Sequence, residues 1–458
     1  MTLTHRHIPL SRRNFLLASV SVAIVSACAT SVPGEDQPKL VATPSMGGLL
    51  TAAAVPIFSL TPEDPGIAAL ASRLSGAKIT GLGEATHGSH EDVLLKSALI
   101  QALVQDHGLR IVLLEANRTG TAQLDAYASA APTGLLAAEA VRQAPVFRIL
   151  KTEVMADLLS WLRGWNAVNG DRPVRVIGVD CQASSQDAGD ALAALAAVNS
   201  GAAEALAEAL APILTTEARA ARHDLMLKQL SSAQRLAAES ACRSLEAELN
   251  SAGLPDAAFT ARRAWQGLNA FEHETSDGDM TRATPEYWSR RDVFMGENAI
   301  TLAKGQPAVL WGHNSHVSGG RPGGDSSGYV PSGAVLRERL GAHYAVLIQD
   351  FNEAEFLAVP SSTGLAPDTD LVAIKRTARA GTLNALLASA SSGTAWFDLA
   401  ALPDTAIVSE WRSTPIGLDW YGYAANDSAS PGDILKVPPG ALFDTVVIHP
   451  KLTPSRML

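Results

Sequence analysis

Short apolar runs rich in β-branched residues alternate along the chain with longer stretches whose apolar positions recur at helical spacing. That alternation predicts a parallel sheet joined by crossover helices. The first run covers residues 78–83. After Gly88, the positions Val93, Leu94, Ala98, Leu99 and Leu103 predict a helix to about His107, closed by Gly108. Residues 110–114 form the second run. Residues 174–179 form the third, reached through a helix carrying Leu158, Leu159, Trp161 and Leu162, and residues 307–310 form the fourth.

Between about residues 184 and 287 strand signals almost vanish, while Leu206, Leu210, Leu225, Leu236 and Leu245 recur in a helical pattern. This predicts a large all-helical insertion between the third and fourth strands. Downstream, residues 344–349 and 355–359 read as a strand pair, and residues 405–411 and 445–449 as further strands. The fold class is therefore α/β: a mostly parallel sheet with crossover helices and a helical insertion, occupying residues 57–458 and beginning near Phe58.

The N-terminus reads as an address. Ser11-Arg12-Arg13-Asn14-Phe15-Leu16-Leu17 precedes an uncharged run ending in Val25-Ser26-Ala27-Cys28, which resembles a twin-arginine signal joined to a lipoprotein cleavage box. Its apolar stretch is shorter than the roughly 20 residues of a spanning helix. Residues 1–28 are thus expected to be a signal that lipidates Cys28, residues 29–56 a flexible tether rich in Pro, Ser, Gly, Thr and Ala, and the product a periplasmic protein anchored to a bacterial membrane.

Composition narrows the classes. The chain has 458 residues, 47% hydrophobic but only 5% aromatic, which favours helices over an aromatic-rich sandwich. A formal charge of −10, without a dense Lys/Arg tract, argues against nucleic-acid binding. Cys181 and Cys242 match no zinc spacing and are expected to be buried and unpaired.

Candidate chemistry follows from what each strand delivers, because open parallel sheets bind ligands outside the carboxyl ends of their strands. The first run leads into Glu84-Ala85-Thr86-His87-Gly88-Ser89-His90-Glu91, the second into Glu115, the third into Asp180 and the fourth into His313-Asn314-Ser315-His316. One sheet edge would gather all of them. Asp180 is equally explained as a helix cap. Glu84, three residues before His87, is close enough to orient its imidazole.

Gly83-Glu84-Ala85-Thr86-His87-Gly88-Ser89-His90-Glu91, Trp161-Leu162-Arg163 with Asn166, Gly178-Val179-Asp180, Arg291-Asp292 with Met295 and Asn298, and Trp311-Gly312-His313-Asn314-Ser315-His316 resemble, in order, the blocks of the erythromycin esterase family. The resemblance runs from about residue 77 to 450. It implies metal-independent hydrolysis of an ester or lactone, with no cofactor and a small-molecule substrate. It also implies that His87 acts as general base on a water, with Glu84, Glu115 and His313 around it. Lys96 or Arg291 would steady the oxyanion, and His90, Glu91, Asp180, Asn314 and His316 would support or bind. Lipoprotein export is not a feature of the family's cytoplasmic antibiotic-resistance enzymes, so the natural substrate is left unassigned.

Two other readings stand beside this one, and a third, the serine pattern, fails on its context. The pairs His87/His90 and His313/His316, with Glu84, Glu91 and Glu115, supply ligand types for a metal. Gly324-Asp325-Ser326-Ser327-Gly328 fits a serine-hydrolase pattern but lacks the flanking strand and helix of a nucleophile elbow. A lipid-tethered binding protein would use the same cleft for capture alone.

Overall fold

The computed structural model describes residues 45–277, 285–322, 328–360, 370–425 and 434–458. Among these residues the strands are β1 (Val55–Pro56), β2 (Ile79–Leu82), β3 (Ile111–Asn117), β4 (Arg175–Asp180), β5 (Ala308–Trp311), β6 (Tyr344–Pro360), β7 (Val372–Thr377), β8 (Ala395–Asp398), β9 (Ile416–Asp419), β10 (Ala424–Ala425), β11 (Ile434–Val437) and β12 (Thr445–Leu452). The main sheet has the order β1-β8-β12-β6-β2-β5-β3-β4, and β7 and β10 also pair with β6. From β12 to β4 every ladder is parallel. The antiparallel strands β8 and β1 extend the β12 side.

Residues along β3 show how the sheet is covered. Val112 and Leu114 enter one apolar core and Ile111 and Leu113 the other, as the period of two in a strand requires. The helices Pro65–Leu74, His90–His107 and Glu153–Val168 supply side chains to the first core, and Pro285–Ala303, Ser332–Leu340 and Leu383–Ser389 to the second. A sheet buried on both faces is what crossover helices produce, and it explains why β2 and β5 are buried at every position without alternation. Gly108 ends the helix His90–His107 in the left-handed region at φ 70°.

The stretch after β4 is helical: Ser184–Ala196, Ser200–Leu214, Thr216–Ala220, His223–Leu227, Ser232–Ser251 and Pro255–Ala270. These helices share an apolar core of their own that includes Leu210 and Leu245, whereas Leu225 and Leu236 are exposed. Helix Pro255–Ala270 lies against the end of β4, where Gly267 leaves no room for a Cβ beside the Cys181 carbonyl.

Three expectations are corrected. The predicted pair 344–349 and 355–359 is a single strand of 17 residues. Its intervening polar residues stay extended because β12 pairs with it through Ala354 and β7 takes over from Glu353. Residues 405–411 are not a strand: Ala406–Ser413 is a helix whose first turn is capped by the Thr405 hydroxyl accepting from Val408 N–H. The tether does not extend to residue 56, nor does the fold begin at Phe58. Met46–Ala53 is already helical with Leu50 fully buried in the second core, and Val55 pairs with Trp396. Cys28 and the signal lie outside the described residues.

Candidate active site

The parallel ladders bring the ends of β2, β5, β3 and β4 side by side, so Glu84, His313, Glu115 and Asp180 gather at one edge despite their separation in sequence. β3 carries an irregularity there. Leu114 pairs with Gly178 but Asn117 with Asp180, so one extra residue is inserted around Glu115. Such a bulge re-aims a side chain next to a site. Gly178 makes it possible, since a Cβ there would stand 2.2 Å from the Ala116 carbonyl oxygen.

Glu84 is the centre of a first group. Its Oε1 lies 2.6 Å from His87 Nδ1 and its Oε2 2.6 Å from Lys96 Nζ. Burial opposes ionisation of Glu84, but Lys96 and then His87 outweigh it and hold the carboxyl at about 2. An anionic Glu84 requires the proton on His87 Nδ1, so the lone pair resides on Nε2, which has no hydrogen-bond partner among the described residues. Lys96 is fully buried, donates also to the Gly312 carbonyl at 3.0 Å and lies over the Trp311 ring. Burial pulls its pKa down and Glu84 works against that.

Glu115 anchors a second group. Its Oε1 accepts from Arg291 at 3.0 Å and faces His316 Nε2 at 3.2 Å, while its Oε2 accepts from the His313 backbone N–H. Despite burial, His316 and then Arg291 hold Glu115 well below the usual carboxylate range. His316 Nδ1 meets Asp292 at 2.7 Å. Burial disfavours a charged ring here, but the two carboxylates prevail and raise His316 to about 10, an imidazolium at neutral pH. Arg291 forks onto Asp180 through Nε and Nη2, leaving Nη1 without a partner among the described residues.

His313 stands between the groups, its ring centroid 5.0 Å from that of His87. Its Nδ1 accepts from Ser315 N–H at 3.2 Å and its Nε2 lies 3.3 Å from the Ala85 carbonyl, so both nitrogens are engaged by the chain itself. Burial first, then the neighbouring His87 and His316, push it down to about 3, and the ring is neutral. A cavity of about 10 Å³ lies beside the dyad, lined by Glu84, His87, Val93, Ile149, Leu150, Thr152, Met155 and Trp311. It is about large enough for one water.

The remaining sequence candidates are spread more widely. Asn314 ties the end of β5 to β6, donating to the Gln349 carbonyl. Glu91 accepts from Thr453, and His90 donates its backbone N–H to Thr453 while its Nδ1 is buried without a partner. Lys96 or Arg291 was expected to steady an oxyanion; Lys96 donates to Glu84 and to the Gly312 carbonyl. No group of three or more His, Cys, Asp or Glu side chains among the described residues is arranged to hold a metal ion. The residues 324–327 of the serine pattern lie outside the described residues. Cys181 and Cys242 are buried free thiols.

Several participants escaped the sequence reading. Asp292, noted only as part of a motif, receives Tyr329 OH at 2.9 Å and the Ser332 hydroxyl and N–H. Asp92 accepts from Ala85 N–H and the Ser89 hydroxyl behind the His87 loop. Its signal was present: Asp92 and Lys96, one turn apart, share a helix with the apolar residues Val93, Leu95 and Leu99.

The family model described as erythromycin esterase matches residues 104–452. That span holds Glu115, Asp180, Arg291, His313 and His316 and begins after Glu84 and His87. Three solved structures are similar to this chain. One is a protein from Bacillus cereus (21% identity, TM-score 0.74, 90% of this chain and 98% of that chain). Another is a succinoglycan biosynthesis protein (16% identity, TM-score 0.74, 90% and 98%). The third is a mutant of the erythromycin esterase EreC in its open conformation (18% identity, TM-score 0.64, 84% and 93%). At such identities the likeness concerns the fold. No curated protein matches.

Proposed function

Because the chain belongs to the erythromycin esterase family and is a hydrolase of that family, we propose that it cleaves a small carboxylic ester or lactone with a water activated by His87. The observation that carries this reading is the 2.6 Å contact between Glu84 and His87 Nδ1, which leaves Nε2 as the proton acceptor.

The water gives a proton to His87 Nε2 as its oxygen attacks the carbonyl carbon. The imidazolium that forms is stabilised by Glu84, which Lys96 keeps anionic. The charge that develops on the carbonyl oxygen is met by Arg291 through Nη1, which has no partner among the described residues. When the tetrahedral intermediate collapses, the C–O bond to the leaving group breaks and the alkoxide takes the proton back from His87. General acid–base catalysis of this kind contributes roughly 10²–10⁴-fold. His313, held by Ser315 and Ala85, forms one side of the site and is neutral, its single ring proton on Nε2 facing the Ala85 carbonyl.

The test is hydrolysis of a panel of activated esters and lactones by wild type, His87→Ala and chelator-treated enzyme. Loss in His87→Ala with no effect of chelator is the expected result. Loss on chelation and recovery with added metal would overturn the metal-free mechanism. Export and lipid anchoring at Cys28 rest on the Ser11-Arg12-Arg13 and Val25-Ser26-Ala27-Cys28 motifs. Labelling with a radioactive fatty acid in the wild type, absent in Cys28→Ala, is the expected outcome.

A further inference from the structure

Beyond the last strand, residues 453–458 cross from the loop that carries His87 to the wall of the cavity beside it. At one end His90 N–H donates to the Thr453 carbonyl and Ser455 N–H to the Gly88 carbonyl, each at 2.8 Å, and Ser89 bridges Pro454. At the other end Glu153 N–H donates to the Arg456 carbonyl and Leu458 N–H to the Lys151 carbonyl, each at 2.9 Å, and Thr152 bridges Met457. Thr152 and its neighbour Leu150 line the cavity, as does His87 on the facing side.

The segment is tied down by more than its backbone. Both oxygens of Glu91 are used on Thr453, one accepting its N–H at 2.6 Å and the other its hydroxyl at 2.7 Å. Leu458 packs on the first core, which also contains Val93, Leu150, Met155 and Trp311. The bridged residues Ser89 and Thr152 are themselves almost fully buried. A segment that only covered surface would have no need of a carboxylate spent wholly on one residue, since a charge-assisted hydrogen bond is roughly twice as strong as a neutral one. Nor would it bond one wall of a cavity at Thr152 and the residues next to His87 on the other.

We propose that residues 453–458, anchored by Glu91, are a positioning element that sets the separation between His87 and the Leu150–Thr152 wall of the cavity beside it. This rests on the reading of His87 as the base. It assigns Glu91, a candidate substrate contact from the sequence, to holding the strap.

The strap is tested in the full chain with p-nitrophenyl butyrate as the probe. Ser455→Pro removes the N–H bound to Gly88, Thr453→Val removes the hydroxyl bound to Glu91, and Thr453→Ser restores it. In Ser455→Pro and Thr453→Val, kcat is expected to fall roughly tenfold or more with a smaller change in KM, as misplacement of a catalytic group does. The amides of His90 and Glu153 should exchange faster, and Thr453→Ser should keep the wild-type kcat. A kcat within about twofold of wild type in both variants would overturn the proposal. His87→Ala run alongside separates the two ideas. A wild-type rate there removes the base reading and the strap's proposed role with it, whereas an inactive His87→Ala beside fully active Ser455→Pro and Thr453→Val variants overturns the strap alone.

Discussion

Glu84 meets His87 Nδ1 at 2.6 Å, and this one contact decides which ring nitrogen is left for chemistry. The other carboxylate oxygen is bound by Lys96, so orientation of the His87 ring and compensation of the buried Glu84 charge are two halves of one arrangement.

The coupling makes a prediction about stability and activity together. Glu84→Gln leaves Lys96 buried without its counter-charge, and removing one partner of a buried pair costs about 3–5 kcal/mol. Lys96→Met added to Glu84→Gln should recover much of that loss but none of the activity, because the imidazolium still lacks its carboxylate. Thermal denaturation and kcat of the single and double variants check this. Recovery of both together would contradict it.

Histidine protonation should differ sharply within a few ångströms. His316 lies between Asp292 and Glu115 and is raised to about 10, so it stays charged at pH 8. His313, and His449 of β12, a buried ring whose Nε2 meets Gln349 Oε1 at 3.0 Å, are lowered to about 3, chiefly by burial, and remain neutral at pH 5. Ring chemical shifts measured across that range by NMR give the answer directly.

The same shifts set the pH dependence of folding. For His313 and His449 the unfolded state binds the extra proton, so their contribution is complete above about 6.5 and is lost as pH falls toward 3. For His316 the folded state binds it, so its contribution is complete below about 6.5 and is lost as pH rises toward 10. Tm should therefore drop between pH 7 and 5, and His449→Gln should make that drop shallower. An unchanged slope in His449→Gln would count against a neutral buried ring.

Gly88 has no room for a side chain: a Cβ would stand 1.9 Å from the Leu357 carbonyl oxygen. Gly88→Ala must push the loop next to His87 off β6, an overpacking cost of about 1–3 kcal/mol. Stability should fall by that amount and kcat should fall more than KM changes, measured by denaturant titration and steady-state kinetics.

Arg291→Lys keeps the charge but loses the fork onto Asp180 and the simultaneous contact to Glu115. Loss of charge-assisted hydrogen bonds of this type costs about 1.5–3 kcal/mol. The expected outcome is a lower Tm together with a lower kcat, and an unaltered kcat would exclude Arg291 from the oxyanion role.

The four strands that carry the site were legible because each is a short apolar run bounded by turn residues, and a sheet covered on both faces admits little else. The errors have equally local causes. Ile407 and Val408 look like strand residues, but the Thr405 cap and the packing of Val408 select a helix. Asn352 and Glu353 look like a turn, yet two flanking strands satisfy the backbone of β6 and keep it extended. Cross-strand pairing joins residues far apart in the chain, and no local pattern records it.

The sequence by itself determined the α/β class, the delivery of Glu84, Glu115, Asp180 and His313 to strand ends, and the proximity of Glu84 to His87, because these follow from periodicity and from spacings of a few residues. Only the tertiary structure decided which partners each group meets. Lys96 became the partner of Glu84, His316 a charged ring, His313 a neutral one and Glu91 an anchor for residues 453–458. Protonation and orientation depend on burial and on partners a few ångströms away, and those partners lie on other elements, from the helix after β2 that returns Lys96 to Glu84 to Thr453, at the far end of the chain from Glu91.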